Sequence, residues 1–288
     1  MFFSFRGHSM RRSRLLTGMI VLINAAWATP MAAAELTIEP RLAAGVSYYD
    51  LDLDGAFVVG QDTVDNVQFN DWLYLVGGGL TISYDRVFVD LYGQYSFDGE
   101  DTVNADVVTG GVVASELGQK VTFDRVETAL SLGYRVTDQL AAFVGYRYAE
   151  VNFDGKGSLG AVAAKFSTDF HQKGPFVGGS YVVPKPVLDG ALVANAAVTY
   201  LDGELENKLD VSAPLQDVAF DTNGDALGFN GGVSWVRPLT DQLKLVLGAD
   251  AAYYAFKDND DVTDFDELIV RLRTELRYSF DLGAVGAN

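Results

Sequence analysis

Three short stretches carry side chains whose types and spacing suggest chemistry. In Thr168-Asp-Phe-His171, Asp169 and His171 share one strand parity, with Ser167 and Ser180 in the neighbourhood, so a carboxylate–imidazole dyad for general-base work is geometrically allowed. No wider signature surrounds His171, and the expectation is that the chain is not an enzyme. The second stretch, Asp50-Leu-Asp-Leu-Asp-Gly55, matches the first half of a calcium-loop pattern and makes Asp50, Asp52 and Asp54 candidate metal ligands. Where that loop needs a bidentate glutamate the chain has Gln61, so only half of the pattern is present. The third stretch runs from Leu268 to Phe280. Leu268, Val270, Leu272, Leu276, Tyr278 and Phe280 fall on one parity, while Arg271, Arg273, Glu275 and Arg277 fall on the other.

The elements that position these groups follow from composition and periodicity. Arg6, Arg11, Arg12 and Arg14 precede an apolar run from Leu15 to about Ala28, followed by small residues up to Ala34. This reads as a cleaved secretory signal over residues 1–34. Its removal takes 34 residues and four positive charges from a 288-residue chain of net charge −18, leaving 254 residues at −22. With 39 acids against 17 remaining bases, nucleic acid is excluded as a partner, because phosphate would be repelled. The absence of cysteine excludes a disulfide framework and thiolate chemistry. Thirty glycines, fourteen tyrosines and eighteen phenylalanines beside seven prolines fit many strands in one all-β domain.

Period-2 alternation appears in ten runs, at about residues 36–50, 71–84, 87–98, 121–136, 140–152, 174–184, 191–204, 227–237, 242–256 and 267–280. The connections alternate between short turns and long segments at about 51–70, 99–120, 153–173, 205–226 and 257–266, which describes an up-and-down meander. The run from Asp258 to Glu267 reads as a solvated acidic cluster. Two short turns share a local repeat, Arg135-Val-Thr-Asp-Gln-Leu140 and Arg237-Pro-Leu-Thr-Asp-Gln-Leu243.

Which face is greasy decides the environment. On the first run Leu36 to Tyr48 share an apolar face that then becomes Asp50, Asp52 and Asp54. On the fifth, Leu140 to Tyr148 give way to Glu150. On the seventh, Leu192 to Tyr200 give way to Asp202, Glu204 and Glu206. A tyrosine followed by carboxylates at a similar height on three strands is what a lipid slab imposes, and the run lengths match the ~9–11 residues of a tilted membrane strand. The expected fold is therefore all-β: a closed antiparallel up-and-down transmembrane β-barrel over residues 35–280. Ten strands are favoured, with twelve or eight as alternatives. Residues 107–115, 158–167 and 209–220 are read as strand extensions beyond the bilayer rather than extra membrane strands.

The end of the last run, Leu276-Arg277-Tyr278-Ser279-Phe280, resembles the C-terminal insertion signal of small Gram-negative outer-membrane β-barrel proteins, of the opacity-protein and OmpA-like porin type. The likeness is one of architecture and covers residues 35–280. It implies location in the cell outer membrane, insertion by the barrel-assembly machinery, and outer-membrane lipids and lipopolysaccharide as neighbours. In such proteins the signal usually ends the chain, whereas here residues 281–288 follow as a short periplasmic tail. Barrels of this kind include ten-strand proteases with rim Asp–His pairs and lipid-modifying enzymes with a Ser–His pair, which is why His171 is retained as the residue of an alternative hydrolase reading.

Parity sends thirteen charged groups into the lumen. The acids are Glu39, Asp90, Glu127, Asp250 and Glu275; the bases are Arg41, Arg125, Arg135, Arg147, Lys244, Arg271, Arg273 and Arg277. Tyr92 and Gln94 join them. Eight strands leave room for side chains or one small ligand and open channels appear by sixteen, so ten lies near the closed end. Two roles follow: a narrow, slightly anion-preferring passive pore, or a structural barrel whose interior is filled by salt bridges. A surface barrel for adhesion or ligand binding is the alternative, because the long connections are strongly acidic. No cofactor is expected. Carboxylates above the tyrosines would face anionic lipopolysaccharide and so need bridging Ca²⁺ or Mg²⁺, with Asp50, Glu150 and Asp202 as the anchors. The protein is expected to be monomeric.

Overall fold

The computed structural model describes residues 35–284 apart from 56, 60–61, 66, 110–111, 160–161, 212–217 and 259–262. Residues 1–34, read from the sequence as a signal, Gln61 and the last four residues lie outside the described residues. Ten long strands close into an antiparallel barrel. They are β1 (Glu35–Gly55), β2 (Val67–Tyr84), β3 (Val87–Thr109), β4 (Val112–Arg135), β5 (Leu140–Leu159), β6 (Val162–Val182), β7 (Ala191–Val211), β8 (Val218–Pro238), β9 (Leu243–Asp258) and β10 (Thr263–Tyr278). Each pairs with its sequence neighbour, and β1 closes the ring by pairing with β10, Leu42 opposite Leu276 and Val46 opposite Leu272. No edge is left in the membrane, as a hydrocarbon environment demands of strands.

The outward face carries the predicted apolar set. Leu42 is 75% exposed, Val177 61% and Leu272 50%, values that would be prohibitive in water over so large a surface and are natural against lipid. Tyr48 packs on Trp72 at 5.5 Å between ring centroids, in the girdle that ends the band.

Turn chemistry accounts for the short connections. Asp85 takes a left-handed conformation, with φ of 53°. The sequence repeat becomes a geometric one. Thr137 Oγ1 accepts from the backbone N–H of Gln139 at 3.2 Å and Leu140 at 3.0 Å, and Thr240 Oγ1 accepts from Gln242 at 3.3 Å and Leu243 at 3.0 Å. In both, the threonine hydroxyl supplies the acceptor that a short turn otherwise lacks.

The hairpins continue as strand well above the tyrosines, as expected for residues 107–115, 158–167 and 209–220: Val107 pairs with Ser115, Ser158 with Ala163 and Leu209 with Val218. The residues read as a dangling tail begin as strand as well, since Phe280–Ala284 pairs with the start of β1 through Ile38–Phe280 and Glu35–Ala284. One seam interrupts the ladder. Pairing of β2 with β3 ends at Tyr74–Phe97, and above it Asp71 Oδ2 accepts from the Glu100 N–H while Asp101 Oδ2 accepts from the Asn70 N–H, both at 2.8 Å. Carboxylates thus replace the missing backbone partners.

The barrel has two interiors. Below the tyrosine girdle the pattern is apolar outside and polar inside. Above it the pattern inverts. On β1, Asp50 and Asp52 turn outward while Tyr49 and Leu51 are buried inside; on β7, Asp202 is outside while Leu201 and Leu205 are buried. The upper part obeys the rule of a water-soluble barrel, the lower part that of a membrane one.

Candidate functional site

The upper interior is a dry aromatic cap. Phe69, Phe123 and Phe153 from β2, β4 and β5 meet Tyr49 of β1, with Phe69–Phe153 centroids at 4.7 Å and Phe123–Phe153 at 5.5 Å. On the other side Phe256 and Phe265 stack at 4.5 Å and Phe170 sets its edge against both at 5.3 Å. These positions sit on the inward parity, where a strand leaving the membrane has to exchange polar for apolar side chains if its core is to exclude water.

Beneath the cap lies a charged waist. Arg125 on β4 donates to Glu267 on β10 at 2.5 Å, and Arg271 on β10 donates to Glu127 on β4 at 3.0 Å. Those strands are not neighbours, so both ion pairs run as chords across the lumen. Gln172 of β6 closes a third direction, its Nε2 donating to both Glu267 oxygens at 2.9 and 3.0 Å. Glu127 Oε2 also lies 3.3 Å from Arg147 Nη2 and 3.6 Å from Arg125 Nε, so one oxygen faces three guanidinium groups. Two of the guanidinium groups find aromatic faces: Arg147 lies over Tyr254 at 4.7 Å and Arg125 over Tyr49 at 5.5 Å. Asp250 ties Arg271 at 2.6 Å to Arg273 at 3.1 Å, and Glu275 ties Arg273 at 2.9 Å to Arg277 at 2.6 Å.

Below the waist the lumen opens into a vestibule of about 830 Å³ at the end with the short turns. Arg41 grips Asp90 with two hydrogen bonds of 2.7 and 2.8 Å, and Lys244 reaches Glu39 at 2.5 Å while Ser279 donates to the same carboxylate at 2.8 Å. Twelve of the thirteen charged groups assigned by parity therefore pair with one another or with Glu267. Arg135 does not join them. It stands exposed at the mouth, its guanidinium 3.4 Å from Ser83 Oγ and from the Asp85 carbonyl.

Glu267 is the residue that sequence reasoning misplaces. By sequence it closes the acidic run of a solvated connection, yet it is fully buried and holds the waist together. Its odd-numbered parity, shared with Arg271, Arg273 and Glu275, is the signal that could have found it. Gln172 is hidden for the same reason, inside a segment that reads as a loop.

On the outside, the candidate calcium loop does not curl. Residues 50–55 are straight strand, with Asp52 opposite Asp266 and Asp54 opposite Asp264, and Asp50 accepts from Gln68 Nε2 at 3.2 Å. Alternate strand positions are roughly 6.6 Å apart, so the backbone over residues 50–55 lacks the turn by which an EF-hand gathers its ligands on one ion. Among the described residues no three His, Asp or Glu side chains are grouped to hold a metal. Nor does Asp169 partner His171: it lies opposite Asn152 and Glu206, while His171 lies opposite Glu150 and Glu204. His171 Nδ1 instead sits 3.2 Å from Tyr148 Oη and 3.7 Å from Glu150, on the outer wall. Ser180 lines the vestibule, about nine residues or roughly 30 Å along the strand from His171.

No protein-family profile matches the chain, and no curated protein sequence does. Solved structures do. The outer-membrane protease OmpT of Escherichia coli superposes with a TM-score of 0.58 at 10% identity, over 88% of this chain and 99% of that one. The translocator domain of the autotransporter NalP from Neisseria meningitidis gives 0.46 at 12% identity, over 84% of this chain and 88% of its own. At such identities the likeness is one of fold.

Proposed function

We propose that this chain is a structural, surface-presenting barrel of the cell outer membrane that does not conduct, in preference to a narrow passive pore. The observation that carries the reading is the aromatic cap stacked on cross-lumen ion pairs. A permeating ion would have to enter a dry ring cluster and then displace guanidinium–carboxylate pairs that hold one another, each step costing several kcal/mol. The outer-membrane fold and the lipid-facing band support the location. Refolded protein in planar bilayers is expected to give no current steps above the protein-free baseline; discrete steps from the wild type would reinstate the pore.

The surface part of the proposal rests on strands that rise past the girdle with acidic outer faces. There Asp202 lies opposite Asp225 and Asp52 opposite Asp266, an excess of acid that Lys173, 3.9 Å from Asp202, offsets only in part when packed beside anionic lipid. Divalent cations bridging Asp50, Glu150 and Asp202 to lipopolysaccharide phosphates would offset the rest. In lipopolysaccharide-containing vesicles EDTA is then expected to lower the melting temperature by several degrees, and by nothing in phosphatidylcholine vesicles. Equal melting in all four conditions would remove the lipid bridge from the proposal. An intact phenotype in His171→Ala would dispose of the hydrolase alternative.

A further inference from the structure

The cap and the vestibule use the same residue type in opposite ways. Cap phenylalanines point to the axis and fill the lumen. Those of the vestibule lie back on the wall. Phe88, Gly133, Phe143 and Gly178 are successive cross-strand partners on β3, β4, β5 and β6, an alternating row of ring and glycine. A Cβ at Gly133 would stand 2.0 Å from the Phe88 ring and one at Gly178 2.7 Å from the Phe143 ring; one level deeper, a Cβ at Gly145 would stand 2.3 Å from Phe176. Each ring therefore occupies the space that a side chain on the next strand would take. This pins the register of the row by packing ring on glycine, and it also keeps the lumen open with an apolar wall beside water.

The rest of the wall is ionic, beginning at Asp90, two residues from Phe88 on β3: Arg41, Lys244 and Arg277 stand there with Glu39, Asp90 and Glu275, all paired. One cation is left over: Arg135, two residues beyond Gly133 at the lip of the apolar row, has no carboxylate within 4 Å among the described residues and only two long contacts to neutral oxygens. The hollow is blind, because the waist closes it. Its volume of about 830 Å³ falls within the ~300–1,000 Å³ of small-molecule sites.

We infer that the vestibule is a binding site for an anionic amphiphile taken up from the periplasmic side, its acidic head on Arg135 and its apolar body along the Phe88–Phe143–Phe176 wall. The inference goes beyond the structural role proposed above and does not depend on the barrel's being shut to ions. A carboxylate or sulfonate gains a guanidinium that has no other anion, and a flat apolar body covers three rings that otherwise face water.

The test uses the full mature chain in lipid nanodiscs and 2-naphthoate as the probe, followed by titration calorimetry. Saturable one-to-one heat is expected, absent from empty nanodiscs, with the neutral 2-naphthylmethanol at least tenfold weaker. Arg135→Gln is expected to erase that tenfold preference while leaving alcohol binding unchanged. Because the chain has no cysteine, Ser131→Cys on the vestibule wall gives a second readout. Modification of the introduced thiol by a small cationic methanethiosulfonate should slow about tenfold under saturating naphthoate, while Asp202→Cys on the outer face is unaffected. The site is refuted by heats equal to those of empty nanodiscs together with an unslowed reaction in Ser131→Cys. The head-group assignment is refuted if Arg135→Gln keeps the preference for the carboxylate.

Discussion

Glu127→Ala is expected to destabilise the barrel by about 3–5 kcal/mol, the cost of leaving a buried charge without its partner. The reason lies in how unequally the waist shares its carboxylates. When Glu127 is lost, Arg125 keeps Glu267 at 2.5 Å and Arg271 keeps Asp250 at 2.6 Å. Arg147 keeps nothing: Glu127 Oε2 at 3.3 Å is its only carboxylate within 4 Å among the described residues, and its remaining neighbour of note is the Tyr254 face. The double variant Glu127→Leu with Arg147→Met removes both charges, keeps the volume, replaces the cation–π contact on Tyr254 by a sulfur–aromatic one, and is expected to recover to within about 1 kcal/mol of the wild type. Urea unfolding in lipid vesicles, read by the gel shift of unheated samples, measures both. Wild-type stability in Glu127→Ala alone would mean that water reaches the waist and solvates Arg147, and a wet waist is the first requirement of the pore reading.

The outward face is legible from sequence because lipid makes the same demand of every strand at the same height. Leu42, Val144, Val198 and Leu272 can be assigned one by one, without knowing who neighbours whom. The waist cannot. Parity says that Arg125 faces inward, but its partner Glu267 lies 142 residues away, and their meeting depends on the stagger accumulated around the ring. The cap is visible and easily misread. Leu51, Phe153 and Leu205 continue the alternation past the tyrosines with its sign reversed, and a reading that ends each strand where the hydrocarbon ends turns them into loop. The same assumption places Glu267 in solvent. An alternation that changes sign and does not stop is the mark of a strand passing from one solvent into another.

Phe153→Ala should cost about 3–5 kcal/mol, as truncation of a buried ring does, and the loss is expected to stay above the girdle. Phe153 is 1% exposed and touches Phe69, Phe123 and Tyr49, all of the cap, whereas the next residue along the chain, Asp154 on the outer face, is exposed; Asp154→Ala is expected to stay within about 0.5 kcal/mol. Hydrogen exchange distinguishes the two halves of the molecule. Backbone amides of residues 49–53 and 151–155 should lose protection in Phe153→Ala while those of 38–46, held by lipid on one side and the salt-bridge network on the other, keep theirs. Uniform loss along β1 and β5 would show that the two interiors form one cooperative unit. The same variant also bears on conduction. The waist below Phe153 has no ring of that phenylalanine cluster among its ion pairs, so a loosened cap should leave bilayer current at baseline; current appearing in Phe153→Ala would mean that the aromatic layer alone was holding the lumen shut.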